Sequence, residues 1–310
     1  MNFDILLLGT SSATPVSHRF PSAQIVNIYG TPLLVDCGEG TQLQLRRFHV
    51  PFGRIRHIFI SHLHGDHFFG LFGLLSTYEL FHRDTDLHIY APQELKDMLA
   101  CKHSPVKVNQ LPYPLHIHPL PQEGGIIMEH KNFTVEAVPL EHRIPAWGFV
   151  FRERQRQPNI IKAKIEEFKL LIEEIVRLKR GETIERETGE IIRPEQVTTP
   201  APAARSYAYI SDTRYIPGLA EKIRGVDLLY HEATFDEAHA EKAAITFHST
   251  SRQAAMVARE AGVKKLILGH FSVTILDMRR FYNEAKKVFP NTILGYDGLK
   301  VSIPVERSRN

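Results

Sequence analysis

Short apolar runs rich in β-branched residues recur along the chain, at Phe3–Leu8, Gln24–Ile28, Leu33–Val35, Ile55–Ile60, Leu87–Tyr90, Phe133–Val138, Tyr207–Ile210, Leu228–Tyr230 and Leu266–Leu268. Runs of that length and composition predict strands. Between some of them, apolar residues fall at helical spacing over His67–Phe81, Ser249–Ala261 and Asp277–Phe289, with Ser249 or Thr250 placed to cap the second. Strand runs in succession with helices interspersed are best buried as packed sheets covered by helices. The pattern therefore predicts an α/β layered architecture rather than a helix bundle or a pure β-barrel.

One stretch departs from this pattern. From Arg152 to Ala204 the short strands cease, and the chain carries a helical segment, Ile160–Arg180, then a charged hairpin-like piece, G-E-T-I-E-R-E-T-G-E-I-I, then T-T-P-A-P-A-A. Pro200 and Pro202 mark a linker. The helical segment places Phe168, Leu171, Ile175 and Leu178 on one face, with Lys162, Lys164, Lys169, Arg177, Lys179 and Arg180 nearby. Two readings stay open for it, a basic surface for nucleic acid and a charged helix packed on the body or on a second subunit.

Composition changes this picture in one respect. The 310 residues are 43% apolar, enough for a substantial core, and 38 Lys and Arg against 35 Asp and Glu leave a formal charge of only +3. Any grip on nucleic acid must then come from a local patch. Cys37 and Cys101 are too few for a disulfide framework. The opening residues lack the basic and apolar regions of a leader, and no run approaches the roughly 18 apolar residues of a membrane span. The expectation is a soluble cytoplasmic protein with no membrane contact. The unusual feature is 17 histidines. Imidazole is the commonest metal ligand and the usual acid or base near neutral pH, so their placement decides their meaning.

Ser61–His67 reads S-H-L-H-G-D-H and sets His62, His64, Asp66 and His67 directly after an apolar run. Imidazole nitrogen and carboxylate oxygen are what zinc prefers, and ligands one or two positions apart can converge from a strand end. Gly65 offers backbone freedom for the turn. His142 follows Thr134–Leu140, Asp212 follows Tyr207–Ser211, and His270 follows Lys265–Gly269. Each alone is an ordinary surface histidine or turn aspartate. Together, on neighbouring strands, they would meet at the carboxyl edge where α/β proteins place their sites. Seven ligands suffice for two metals if one carboxylate bridges.

S-H-L-H-G-D-H resembles the H-x-H-x-D-H signature of the metallo-β-lactamase superfamily, and His142, Asp212 and His270 fall in that family's order. The likeness runs nearly end to end. Further segments resemble the ribonuclease Z family within it: L-L-G-T-S-S-A-T-P at Leu7–Pro15, D-C-G-E-G-T-Q at Asp36–Gln42, G-L-F-G-L-L after the metal motif, H-E-A-T at His231–Thr234, H-S-T at His248–Thr250 and G-H-F-S at Gly269–Ser272.

The resemblance implies a single domain over residues 1–310, a four-layer αββα metallo-β-lactamase sandwich with a protruding inserted arm at 152–204. It implies a zinc-dependent endoribonuclease that removes the 3′ trailer from precursor tRNA, two Zn2+ per chain, and a homodimer. His62, His64 and His142 would hold one zinc, Asp66, His67 and His270 the other, with Asp212 bridging. Two cations so placed generate hydroxide from water and neutralise charge on a phosphorane. Asp66 would also accept the water's proton. His248 would donate to the leaving oxygen; the other reading makes it a residue ahead of a Ser/Thr helix cap. Glu232 would orient His248, or else satisfy neighbouring backbone groups. His231 reads as structural, Asp36 and Glu39 as turn and support for the metals, and Cys37 is given no nucleophilic role.

The arm of the family grips tRNA and in many bacterial members carries a Gly/Pro-rich motif, which is absent here. Two other functions share the fold, a small-molecule hydrolase such as a thioesterase or lactonase, and a nucleic-acid-binding protein with an inert site. Ligand residues at all seven positions count against the second. Borderline N/O sites accept zinc or manganese according to supply.

Overall fold

The apolar runs find their partners in two seven-stranded sheets. A computed structural model describes residues 2–14, 16–101, 104 and 106–306, and the Pro15 that ends the opening motif lies outside them. The first sheet runs Lys300–Ser302, Phe3–Gly9, Ala23–Ile28, Thr31–Val35, His57–Phe59, Leu87–Ala91, Leu115–Pro119. The second runs Thr292–Leu294, Lys265–Gly269, Leu228–Glu232, Ser206–Ile210, Ala146–Glu153, Phe133–Leu140, Gly125–Glu129. All nine predicted strands form. The five that periodicity did not mark include both edge strands of each sheet and the strand Ala146–Glu153, which Gly148 interrupts.

Side chains alternate across each sheet, and the alternation makes three apolar layers. Phe3, Ile5, Val35, Phe59, Phe149, Tyr209 and Ile267 pack between the sheets. Leu34, Ile58 and Ile89 face the helices Gly65–Leu80 and Gln93–Ala100. Ala208, Leu229 and Leu268 face Ser251–Glu260 and Met278–Val288. Helices outside two face-packed sheets are the expected αββα order. Thr250 caps Ser251–Glu260 with a full capping box, its Oγ1 accepting from the Gln253 amide while Gln253 Oε1 accepts from the Thr250 amide. No helix among the described residues is long and apolar enough to cross a membrane.

Four successive strands of each sheet run parallel, and three of them in each end beside the site. Ser206–Ile210, Leu228–Glu232 and Lys265–Gly269 pair in parallel, Ile210 opposite His231 and Glu232 opposite Gly269. In the other sheet Thr31–Val35, His57–Phe59 and Leu87–Ala91 do the same. The residues just past these ends are Asp36, Ser61–His67, Asp212, Ala233–Thr234 and His270, so register delivers the candidate ligands to one edge.

A second compact unit comprises Glu153–Arg205 with the C-terminal residues from Pro304. Its own core is Leu170, Leu178, Ile184, Ile192 and Val197. The expected single helix over Ile160–Arg180 is two helices, Lys162–Glu167 and Ile172–Lys179. The break falls where Lys169 takes a left-handed φ of 46°. Glu174 then accepts from the Leu171 amide (2.9 Å) and so starts the second helix afresh. Leu171, expected on the apolar face, is consequently 66% exposed, while Leu178 is buried. The hairpin-like piece is a hairpin, Ile184–Glu185 against Ile191–Ile192, anchored by Arg186 on Glu174 (2.7 Å). At the root of the unit Arg205 donates to Glu153 in a buried two-pronged pair (3.0 and 2.6 Å).

Candidate metal centre

The strand His57–Phe59 delivers its successors to the site through Asp36, which sits at φ 54° at the end of the neighbouring strand. Asp36 Oδ1 accepts from the Ser61 amide (2.7 Å), and Oδ2 accepts from the Ser61 hydroxyl (2.9 Å), the Tyr209 hydroxyl (2.6 Å) and His67 Nδ1 (2.7 Å). The helix Gly65–Leu80 starts at once, and Asp66 lies in its first turn, where the helix dipole favours a carboxylate. Gly65 is there for space and not for a left-handed turn: a Cβ on it would lie 2.3 Å from the Phe69 ring. Gly38 is fixed by a similar approach, its Cβ position 2.3 Å from the Asp66 carbonyl oxygen.

All seven expected ligands come together. His62 Nε2 and His142 Nε2 each lie 3.1 Å from His64 Nδ1, and 3.5 and 3.6 Å from Asp212 Oδ2. On the other side His67 Nε2 and His270 Nε2 are 3.2 Å apart, 3.5 and 3.4 Å from Asp66 Oδ2, and 3.3 and 3.2 Å from Asp212 Oδ1. A tetrahedron of metal–ligand bonds about 2.0–2.1 Å long has edges of roughly 3.3–3.4 Å. Both groups fit that spacing, and Asp212 offers one oxygen to each. The donor sets, three imidazoles with a carboxylate and two imidazoles with two carboxylates, suit a borderline divalent ion.

The far nitrogens of the imidazoles are held as well. His62 Nδ1 lies 3.0 Å from the Ser61 hydroxyl, His142 Nδ1 donates to the Phe247 carbonyl (2.9 Å), and His270 Nδ1 donates to the Thr234 hydroxyl (2.9 Å). With His67 on Asp36, four ligand rings are locked in the tautomer that turns an Nε2 lone pair inward. His270 itself sits at φ 55°, one of several left-handed residues at the site. The Ala13 amide, at φ 61°, donates to Asp66 Oδ2 (2.8 Å).

Electrostatics point the same way. Burial, aided by neighbouring His67, pushes the His62 pKa down to about 4, and burial also lowers His64 and His142, so these rings are neutral near pH 7. Burial opposes ionisation of Asp66 and Asp212, but the facing histidines outweigh it and hold both below the usual carboxylate range. Burial would likewise lower His67, yet Asp212, Asp66 and Asp36 raise it well above its ordinary value. The pocket gathers ionised carboxylates among imidazoles and so stabilises positive charge.

His248 and Glu232 are brought together beside the ligands. His248 Nδ1 donates to Glu232 Oε1 (2.9 Å), and its ring lies tilted 5.0 Å from that of His142. Glu232 also accepts from the Ser249 amide (2.9 Å) and from the Thr234 amide and hydroxyl (both 2.8 Å). Glu232 thus contacts both His248 and neighbouring backbone groups. Burial would depress the His248 pKa, but the charge and hydrogen bond of Glu232 lift it to about 9. The sequence reading overlooked Thr234, whose hydroxyl joins Glu232 to His270; its only signal was membership of H-E-A-T. His231, buried, donates to the Glu232 carbonyl (2.7 Å) and takes no part. Cys37 is buried and its thiol is pushed up to about 12 by that burial, which keeps it inert. Glu39 lines the cavity of about 640 Å³ that opens over Asp66, His142 and His248.

A further histidine group, His57, His88 and His116 with Asp86, lies in register across three parallel strands. Its rings are stacked 14° and 16° from parallel, so their lone pairs run side by side. At His62, His64 and His142 the ring planes meet at 76° to 86° and the lone pairs converge.

Comparison with known proteins bears on this geometry. A family model described as the anti-Pycsar protein Apyc1 matches residues 3–173, a span that ends before Asp212, Glu232, His248 and His270. Ribonuclease Z of Bacteroides fragilis is 41% identical over 302 residues, which make up 97% of this chain and 99% of that one. The crystal structure of the short form of human tRNase Z superposes with a TM-score of 0.68 at 29% identity, covering 97% of this chain and 100% of its own. YhfI, a metallo-β-lactamase-fold protein of Bacillus subtilis, superposes with a TM-score of 0.70 at 17% identity, covering 97% and 100%, a likeness of fold. Over the span that the Apyc1 model describes the chain belongs to that family, and over its full length it belongs to the ribonuclease Z family of the metallo-β-lactamase fold.

Proposed function

We propose that this chain is an endoribonuclease that removes the 3′ trailer from precursor tRNA and leaves a 3′-hydroxyl on the tRNA. The observation that carries the reading is the pair of ligand groups sharing Asp212, with the His248–Glu232 pair opening on the same cavity. Identity to a ribonuclease Z over nearly the whole of both chains supports it. The metal would be zinc, two ions per chain, which His62, His64 and His142 in one group, Asp66, His67 and His270 in the other, and Asp212 in common would hold. Bound there, the two ions would supply a nucleophile from water and offset the charge that develops on phosphorus.

The chain's own residues do the rest. Asp66, held by the Ala13 amide, faces the cavity and takes the proton released from the attacking water. His248, protonated because Glu232 faces it, gives a proton to the leaving oxygen from its Nε2 side. Asp36, Ser61, Thr234 and the Phe247 carbonyl keep the ligand rings aimed. The unit Glu153–Arg205 grips the body of the tRNA. The protein works in the cytoplasm as a homodimer.

The deciding experiment is incubation of purified protein with trailer-bearing precursor tRNA, with and without chelator, and mapping of the product ends. Cleavage at the junction that chelation abolishes and zinc restores is expected. A thioester or lactone hydrolysed while RNA stays intact would replace this reading with that of a small-molecule hydrolase.

A further inference from the structure

Phe69 follows the metal motif on the first turns of the helix Gly65–Leu80, and it lines the same cavity as His64 and Asp66. Its neighbour Phe68 is buried in the apolar layer, whereas Phe69 is 61% exposed. A single exposed phenylalanine is unremarkable on any surface. This one is seated. Its ring lies against Gly65, so close that a Cβ there would fall 2.3 to 2.8 Å from three ring carbons, and it rests on Phe68 at 5.0 Å between centroids. The residue between His64 and Asp66 has no side chain, and the ring of Phe69 occupies the space a Cβ there would need, beside the ligands and on the wall of the cavity.

On the reading of the chain as a tRNA 3′ endonuclease, we infer that Phe69 is the platform on which the base of a nucleotide flanking the scissile phosphodiester stacks. A single-stranded trailer presents different bases in different precursors, and hydrogen-bond readout at the cut would favour some of them. Stacking does not discriminate in that way, because every base has a π-face. A phenylalanine ring has only two side-chain torsions, and contact with Phe68 and Gly65 narrows them, so ordering it on a base spends less entropy than ordering a long flexible side chain. Holding the base also fixes the sugar and phosphate beside it, which is what in-line attack requires.

The test is a coupling measurement on the intact protein with precursor tRNA carrying an abasic nucleotide on one or the other side of the cut. Phe69→Ala should raise KM for the intact precursor roughly 5- to 150-fold, the range for one base–aromatic stack. Wild type should lose a similar factor on one of the two abasic precursors, and Phe69→Ala should lose little more on that same substrate. Phe69→Trp and Phe69→Tyr should keep most of the affinity and Phe69→Leu should not, which separates stacking from apolar contact. Independent, additive losses for the variant and the abasic site would overturn the inference, as would an unchanged KM for Phe69→Ala. If wild type does not cut precursor tRNA at all, the functional reading itself fails and this inference falls with it.

Discussion

His67 donates through Nδ1 to Asp36 Oδ2 over 2.7 Å, and both side chains are shut off from solvent. Asp36 receives the Ser61 amide, the Ser61 hydroxyl, the Tyr209 hydroxyl and His67 on its two oxygens. An amide in its place has one acceptor oxygen and brings donors of its own, so Asp36→Asn leaves buried donors unpaired and frees the His67 ring. Loss of such an outer partner typically lowers metal affinity about 10- to 100-fold, and each unpaired donor costs about 1–3 kcal/mol. Chelator competition and thermal melting measure the two effects. Metal retention equal to wild type would show that Asp36 only shapes the turn.

On the proposed mechanism His248 acts at the leaving oxygen and holds no metal. His248→Ala should keep its metal content while losing most turnover on RNA, a loss of order 10²–10⁴ for a general acid. Metal loss matching that of His64→Ala would move His248 into the ligand set. The pH profile tests its partner. Donation needs the protonated ring, and Glu232 raises the His248 pKa, so activity should decline as pH rises through that value. Glu232→Gln removes the negative charge and lowers the pKa, which should bring the alkaline decline of kcat/KM to lower pH. An alkaline limb that stays in place would detach Glu232 from the proton transfer.

The clustering of the candidate ligands was legible because they are unusual residue types at the ends of apolar runs, and strand register does the rest. His142, Asp212 and His270 are each unremarkable in sequence; the pairing of Ile210 with His231 and Glu232 with Gly269 puts Asp212 and His270 on one edge, and the strand order of the same sheet brings the end of Phe133–Leu140, and so His142, to it. The two helices of the arm were not legible. Their break depends on Lys169 adopting a left-handed conformation that no residue type there announces, and the i, i+4 spacing reads straight through it. Phe69 and Thr234 were missed for another reason. Their importance lies in what they touch, a glycine backbone in one case and two distant side chains in the other, and neither contact leaves a periodic trace.

The stacked histidines away from the metal site predict an acid-sensitive fold. Burial pushes the His57 pKa down to about 4, with His88, His130, His118 and Arg56 adding to the effect. In the unfolded chain a histidine titrates near 6.5. Between these values the unfolded state binds the extra proton, so His57 contributes stability above about pH 6.5 that is lost as pH falls toward 4. Denaturant midpoints at pH 7 and pH 5 should therefore differ less for His57→Phe, which keeps a flat ring beside His88, than for wild type. An identical acid loss in both proteins would exclude His57 as a contributor.

The last prediction concerns the unit Glu153–Arg205 as a grip on tRNA. Between Arg152 and Arg193 there are eleven Lys and Arg against nine Glu, so the excess is slight. Several of those cations are already committed, Lys164 to Glu167, Arg177 to Glu182 and Arg186 to Glu174 and Glu190. Lys162, Lys169, Lys179, Arg180 and Arg193 form no ion pair among the described residues, which leaves them to meet phosphate. Deleting only Ile160–Arg180 would remove Leu170 and Leu178 and strip the unit's own core, confounding the result with misfolding. The cleaner excision joins Arg156 to Ala203 through a short Gly/Ser linker, because Glu153 and Arg205 are already bonded backbone to backbone (2.9 Å) and by side chain. Every phosphate that the excised protein no longer neutralises should flatten the dependence of log affinity on log salt by somewhat under one unit, so it should bind precursor tRNA more weakly and with a shallower slope. The ligand residues lie outside the excised segment, so metal content and hydrolysis of bis(p-nitrophenyl) phosphate should stay near wild type. Parallel loss on both substrates would make the unit part of the fold or of the dimer. Unchanged tRNA binding would leave the grip to the rest of the chain and remove the unit from the mechanism.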